Sequence, residues 1–170
     1  MVLLAETTIS NLYNNIKIAF PKNQKREYAT DPIFIDKITW VPFLGMKTLF
    51  TKGLARSYEK KYDCIILFKK VDYEKSLGKN VIKIKMSNGK DYFVKRIKVN
   101  DNDVLVRCNC LDFSYRFNYY NHLDKSLYGR KRSKYYGKNL WKANEMELPG
   151  VCKHLIKMIK ALNKANLLIF

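Results

Sequence analysis

Long apolar runs are missing from this chain. None approaches the roughly 18 residues of a membrane span, and the opening Met-Val-Leu-Leu-Ala lacks a basic leader and the length of a secretory signal. The expectation is a protein made in a reducing cytoplasm, with no membrane partner. Acidic residues are scarce, 15 against 33 Lys and Arg, which leaves a formal charge of +18 on 170 residues. A free monomer so charged repels itself, so a nucleic acid or an acidic protein is expected beside it. Catalytic signatures are also lacking. There is no P-loop, Gly-rich dinucleotide turn or H-E-x-x-H, and no acidic cluster of the two-metal nuclease kind. The sequence therefore predicts neither an enzyme nor a small-molecule substrate. The four cysteines do not read as a disulfide framework, because Cys64 lies in the apolar run Cys64-Ile65-Ile66-Leu67-Phe68 and the other three are spaced for metal.

Those three, with one of the two histidines, form two tight pairs, Cys108-Asn109-Cys110 and Cys152-Lys153-His154. On the strand suggested by Val104-Leu105-Val106-Arg107, side chains two apart share a face, so both sulfurs of the first pair point the same way. On a helix, positions two apart lie roughly 200° around the axis, so Cys152 must sit at a helix entry with His154 in the first turn. Pro149-Gly150 breaks the chain just before it, and the helix dipole there favours a thiolate. Three thiolates and one imidazole make the closed tetrahedral set of structural zinc, with no position open to a substrate. His122 is the competing histidine, although its solitary place in a loop suits an ordinary surface residue.

C-x-C, a variable insert, then C-x-H opening a helix resembles the SWIM-type zinc finger, a strand-strand-helix module. More narrowly, VRCNCLDFSYRFNYYNHLDKSLYGRK and LPGVCKHLIK resemble a family of small structural proteins of tailed bacteriophages. The long insert between Cys110 and Cys152 departs from the usual SWIM pattern. The resemblance implies a virion structural subunit of the head, head-tail connector or tail, stapled by structural Zn2+ and contacting neighbouring virion proteins in a symmetric homo- or hetero-oligomeric assembly. Its basic surface would face packaged nucleic acid or acidic neighbours. SWIM-type modules are also associated with DNA or protein binding, which implies the alternative of a free zinc-finger module binding nucleic acid without sequence preference.

The fold class expected is α+β: a small antiparallel β-meander packed on N- and C-terminal helices, with a zinc-stapled C-terminal half and extended loops. Two regions are distinguished, 1–60 (helix and basic or apolar arm) and 61–170 (meander and zinc module). In the first, Ile9, Leu12, Tyr13, Ile16 and Phe20 repeat at helical spacing between the capping residues Thr7 and Thr8 and the terminator Pro21. Residues 22–31 are polar and aperiodic, a loop or an arm. Ile33 to Val41 suits an edge strand because Pro32 and Pro42 flank it, and Trp40, Phe43 and Leu44 read as core or as a subunit contact. Residues 54–61 suggest a short helix. Alternation on both sides of Asn88-Gly89 specifies a hairpin, and Val104 to Cys110 is expected as its third strand. The last helix is expected from Val151 to about Leu168, with Val151, Leu155, Met158, Ile159, Leu162 and Ala165 inward. The apolar tail then packs on its own core or on a neighbour.

The insert, 111–148, interleaves aromatic and basic side chains. Arg116, Tyr119, Tyr120, Arg130, Lys131, Arg132, Lys134, Tyr135, Tyr136 and Trp141 are its candidates for contact with nucleic acid or a protein partner. Rings stack on bases and cations hold phosphates, yet tyrosine and arginine also anchor protein interfaces, and composition does not separate the two.

Overall fold

The computed structural model describes residues 7–21, 23–139 and 142–170. Trp141, and Lys22 at the start of the expected loop, lie outside the described residues. The first helix, α1 (Ile9–Ala19), begins where the Thr8 hydroxyl accepts the Asn11 N–H at 3.2 Å. It ends just before Pro21 and buries Ile9, Leu12 and Ile16, the stripe that the spacing predicts.

A short helix, α2 (Gln24–Tyr28), stands where a loop or arm was expected. Asn23 caps it through Arg26 N–H at 3.1 Å. Arg26 is only 5% exposed and turns inward to a bidentate pair with Asp112 at 2.7 and 3.0 Å. Charge density in the sequence suggested a solvated segment; a buried carboxylate elsewhere in the chain decides otherwise.

Three long strands follow, β1 (Ile33–Phe43), β2 (Thr48–Ser57) and β3 (Lys60–Phe68), with a 3-10 turn at Leu44–Met46. Residues 54–61, expected as a short helix, are the β2–β3 hairpin, in which Ser57 pairs with Lys60. The alternation explains this: Leu49, Thr51, Gly53 and Ala55 are buried on one face while Phe50, Lys52, Leu54 and Arg56 are only partly covered on the other. β1 pairs with β2 and lies at the sheet edge, as its prolines predicted, with a register shift between Ile35 and Lys37.

Next come β4 (Tyr73–Glu74), β5 (Val81–Lys85), β6 (Asp91–Lys95), β7 (Ile97–Lys98) and β8 (Val104–Cys108). The hairpin predicted around Asn88-Gly89 is β5–β6, with Gly89 at φ 82°, a conformation that favours glycine. The third strand is not where the sequence placed it. β8 leaves the hairpin and pairs antiparallel with β3, Cys64 opposite Cys108, giving a four-stranded sheet of order β1-β2-β3-β8. β5 and β6 join β4 in a separate three-stranded sheet. The turn before β8 redirects the chain. The Asn102 amide donates to the Lys69 and Lys70 carbonyls at 2.9 and 3.0 Å, and Lys69 N–H donates to the Asp103 carbonyl at 2.8 Å. The start of β8 is thereby fastened to the end of β3.

Beyond a π-helical turn at Phe113–Phe117 lie α3 (Asn118–Leu123), α4 (Lys153–Lys164) and β9 (Leu168–Ile169). α4 crosses one face of the four-stranded sheet, where Gly53 lets Met158 approach; a Cβ there would lie 3.0 Å from Met158 Sδ. The helix stops short of Leu168 and leaves Ala165 exposed, because the tail turns back as β9 to pair in parallel with β7. Leu167 and Leu168 are fully buried, so the tail packs on its own core. The molecule is α+β, and regions 1–60 and 61–170 share one sheet and one core. No helix of the described residues is long and apolar enough to cross a membrane.

Candidate metal centre

Cys108 closes β8 on the face covered by α4. Asn109 keeps the ladder going for one more residue, since its N–H donates to the Asp63 carbonyl at 3.2 Å and its side-chain oxygen accepts Asp63 N–H at 2.9 Å. Cys110 then sits at the mouth of the helical segment that follows, and its Sγ accepts the Phe113 N–H at 3.3 Å. On the other side Cys152 is the N-cap residue of α4, in extended conformation, with Ile156 N–H donating to its carbonyl at 3.0 Å. Two sulfurs therefore stand at helix entries, where unpaired N–H groups favour a thiolate.

The donor atoms of Cys108, Cys110, Cys152 and His154 all lie within 4.8 Å of one another, and all four residues are buried. His154 presents Nδ1, 3.9 Å from Cys108 Sγ, and its ring is backed by Tyr62 at 4.3 Å. A tetrahedral ion with metal–sulfur bonds of about 2.3 Å would place its ligand atoms roughly 3.5–3.8 Å apart, so a small contraction brings these four onto one ion. His122 is exposed and stands outside the cluster. Cys64 is buried beside it and donates its S–H to Cys108 Sγ at 3.8 Å, but is not one of the four.

The electrostatics of the cluster fit a cation. Hydrogen bonds from Cys108 first, then Cys152, and more weakly from His154 and Phe113 N–H, hold the Cys110 thiol far below its ordinary value. Burial drives the Cys108 and Cys152 thiols well above theirs. Burial thus opposes charge on two of the three sulfurs, while their hydrogen bonds favour it on the third. A dication supplies the charge that lets all three ionise.

Several residues that sequence reasoning passed over position the two pairs. Asn121 is fully buried and grips Gly150 from both sides: it accepts the glycine N–H at 2.8 Å and donates to its carbonyl at 3.0 Å. Gly150 packs against Phe117, and a Cβ would meet the ring at 2.7 Å. This clamp fixes the chain two residues before Cys152. Asn118 accepts Arg132 N–H at 2.7 Å, and Asn144 donates to the Arg116 and Leu148 carbonyls at 2.9 and 2.8 Å, so buried amides pin the insert down as well. The segment from α2 to β1 reaches the neighbours of both pairs: Arg26 holds Asp112, two residues after Cys110, and Asp31 pairs with Lys153, between Cys152 and His154. Periodicity detects none of these, because each is a polar side chain satisfied by distant backbone or charge.

The contact candidates of the insert are partly covered and partly exposed, and Tyr120, Lys134 and Tyr135 line one shallow depression. Arg116 is spent on Asp112 at 3.0 Å, its guanidinium stacked on Phe20, and Tyr120 is only 8% exposed. Tyr119 packs edge-on against Tyr120, and Tyr135 against Tyr115, with ring centroids 5.5 and 5.7 Å apart. Lys134 pairs with Glu147. Arg130, Lys131, Arg132 and Tyr136 remain exposed, Arg132 lying over the Tyr115 ring at 5.2 Å. The chain matches no protein-family model, no curated protein and no solved structure.

Proposed function

We propose that this chain is a non-enzymatic structural subunit of a tailed-bacteriophage particle, in the head, connector or tail, whose fold is stapled by one Zn2+ on Cys108, Cys110, Cys152 and His154. The observation that carries the reading is the closed, buried Cys3His donor set: four protein ligands of this softness suit tetrahedral zinc and leave no place for a substrate. The resemblance of the two cysteine-bearing segments to phage structural proteins points the same way. So do the exposed apolar side chains Phe43, Leu44 and Met46 around the β1–β2 turn, with Phe34 at the other end of the edge strand β1, which suit contact with neighbouring subunits. Light scattering on the purified chain, with mass spectrometry of purified particles, tests it. The expected result is an oligomer and a fixed copy number per particle; a monodisperse monomer absent from particles contradicts it.

A second reading is favoured by the exposed run Arg130, Lys131 and Arg132. Here the chain is a free zinc module that binds nucleic acid through backbone charge, without sequence preference. Competition between a specific and a random duplex near physiological salt bears on it; a preference of about 10³ or more contradicts it.

A further inference from the structure

The four-stranded sheet has two unlike faces. The one under α4 is closed. On the other, Phe50, Lys52, Leu54 and Arg56 of β2, Ile65 and Leu67 of β3, and Leu105 and Arg107 of β8 are each partly exposed, while the residues between them on β2 and β8 are buried. The register aligns Val41, Phe50, Leu67 and Leu105 in one apolar row across all four strands. Tyr128 joins that row: its ring lies 5.6 Å from Phe50, and Arg107 holds its carbonyl at 3.1 Å. An isolated hydrophobe on a surface needs no explanation, but an aromatic pair with an aliphatic row on an open sheet is a platform on which flat rings can lie.

The platform shares Leu67 and Leu105 with a cleft of about 860 Å³ that is also lined by Met46 and by Lys47, Lys69, Lys70 and Lys125. Two carboxylates share that lining, Asp72 at 3.9 Å from Lys47 and Asp103 at 3.0 Å from Lys70. Among the described residues, four cations against two anions leave the cleft positive, with Lys69 and Lys125 the surplus. On the open face itself, Asp63 is matched by Lys52 at 3.3 Å and Asp36 by Arg56 at 3.0 Å. Apolar rings on a face that leads into a cation-rich cleft suit a ligand that carries flat bases and phosphates on one chain. Duplexes hide their bases, so a single strand fits.

We propose that the open face of the β1-β2-β3-β8 sheet, together with its lysine-lined cleft, binds single-stranded nucleic acid, bases on Phe50 and Tyr128 and phosphates on Lys69 and Lys125. This surface takes Lys125 and Tyr128 from the insert but not its exposed Arg130, Lys131 and Arg132, and the inference rests on neither reading of the chain's function. An acidic protein segment would use the lysines but gain little from the rings.

Fluorescence anisotropy of the full metal-loaded chain with a labelled oligothymidine of about 12 nucleotides tests it, within the usual site size of a single-strand binder. Binding is expected at about 50 mM salt and should weaken steeply by about 200 mM. Phe50→Ala should weaken it about 5- to 100-fold, the usual value of one base stacked on an aromatic ring. Phe50→Leu, which keeps apolar volume should the first variant fail to fold, should lose nearly as much. Lys69→Glu with Lys125→Glu should lower the salt slope by about 1.4, two phosphates on a single strand. Arg130→Glu with Lys131→Glu in the insert should change affinity less than either. Absence of binding, an equally tight duplex of the same length, loss of binding in the Arg130→Glu, Lys131→Glu variant while Phe50→Leu binds as the parent does, or polyglutamate competition untouched by Phe50→Leu would each overturn the proposal; the last result would assign the face to an acidic protein.

Discussion

The two ligand pairs reach one cluster by different routes. Cys108 and Cys110 are delivered by a strand that is already fixed along its length, β8 zipped to β3 through Cys64 and Asn109 continuing the ladder to Asp63. Cys152 and His154 begin a helix that follows the long insert, and their position depends on contacts made far away in sequence: Asn121 gripping Gly150, Phe117 packed on it, and Asp31 on Lys153. The first pair is held by secondary structure and the second by tertiary clamps. A metal ion bound by both therefore does more than fill a hole, because it fastens α4 to the sheet.

The largest effect expected is loss of a ligand. Structural zinc contributes apparent free energies of about 10–16 kcal/mol, against about 5–15 kcal/mol for the stability of a whole domain. Cys110→Ser and His154→Ala should each abolish stoichiometric zinc and unfold the α4 side of the molecule, read by metal analysis and thermal melting. His122→Ala, at an exposed position outside the cluster, should leave both unchanged.

Acid sharpens the comparison by another route. Burial pushes the Cys108 and Cys152 thiols up, while hydrogen bonds from its neighbours hold the Cys110 thiol down. Binding requires the ligand thiols to deprotonate, so loading should release protons and zinc affinity should fall as pH drops. Calorimetry in buffers of different ionisation enthalpy measures the proton count; a value near zero contradicts thiolate ligation of a cluster that holds protons when empty.

A clamp variant separates the pairs. Gly150→Ala forces a methyl into the Phe117 ring and should cost about 1–3 kcal/mol, the usual overpacking penalty. Zinc affinity should fall with it, because the strain falls on Cys152 and leaves Cys108 in place. If denaturation midpoint drops and zinc affinity does not, Gly150 supports the fold without positioning the ligand. The smallest effect belongs to Cys64→Ser, which should keep full zinc content and cost about 1–3 kcal/mol for a hydroxyl placed in the core.

Much of the Cys/His cluster was legible because it is local. Paired spacing, a strand before Cys108 and Pro149-Gly150 before Cys152 suffice to bring four ligands into view, and a capped helix from Ile9 or a hairpin at Asn88-Gly89 is likewise written in neighbouring residues. What failed was non-local. Whether β8 continues its own hairpin or crosses to β3 is decided by Asn102 binding carbonyls at Lys69 and Lys70, and no periodicity records that. Residues 23–31 read as a solvated loop or an arm because Arg26 carries the same charge whether it faces water or a buried Asp112. Tyr120 and Arg116 read as surface for the same reason, since residue type alone does not reveal what covers it.

X-ray absorption at the zinc edge of the natively purified chain tests the central claim most directly. The prediction is one zinc per chain in a shell of three sulfurs at about 2.3 Å and one nitrogen at about 2.0–2.1 Å, with no bound water. Less than a stoichiometric ion, or a shell containing fewer sulfurs and an oxygen, would contradict it.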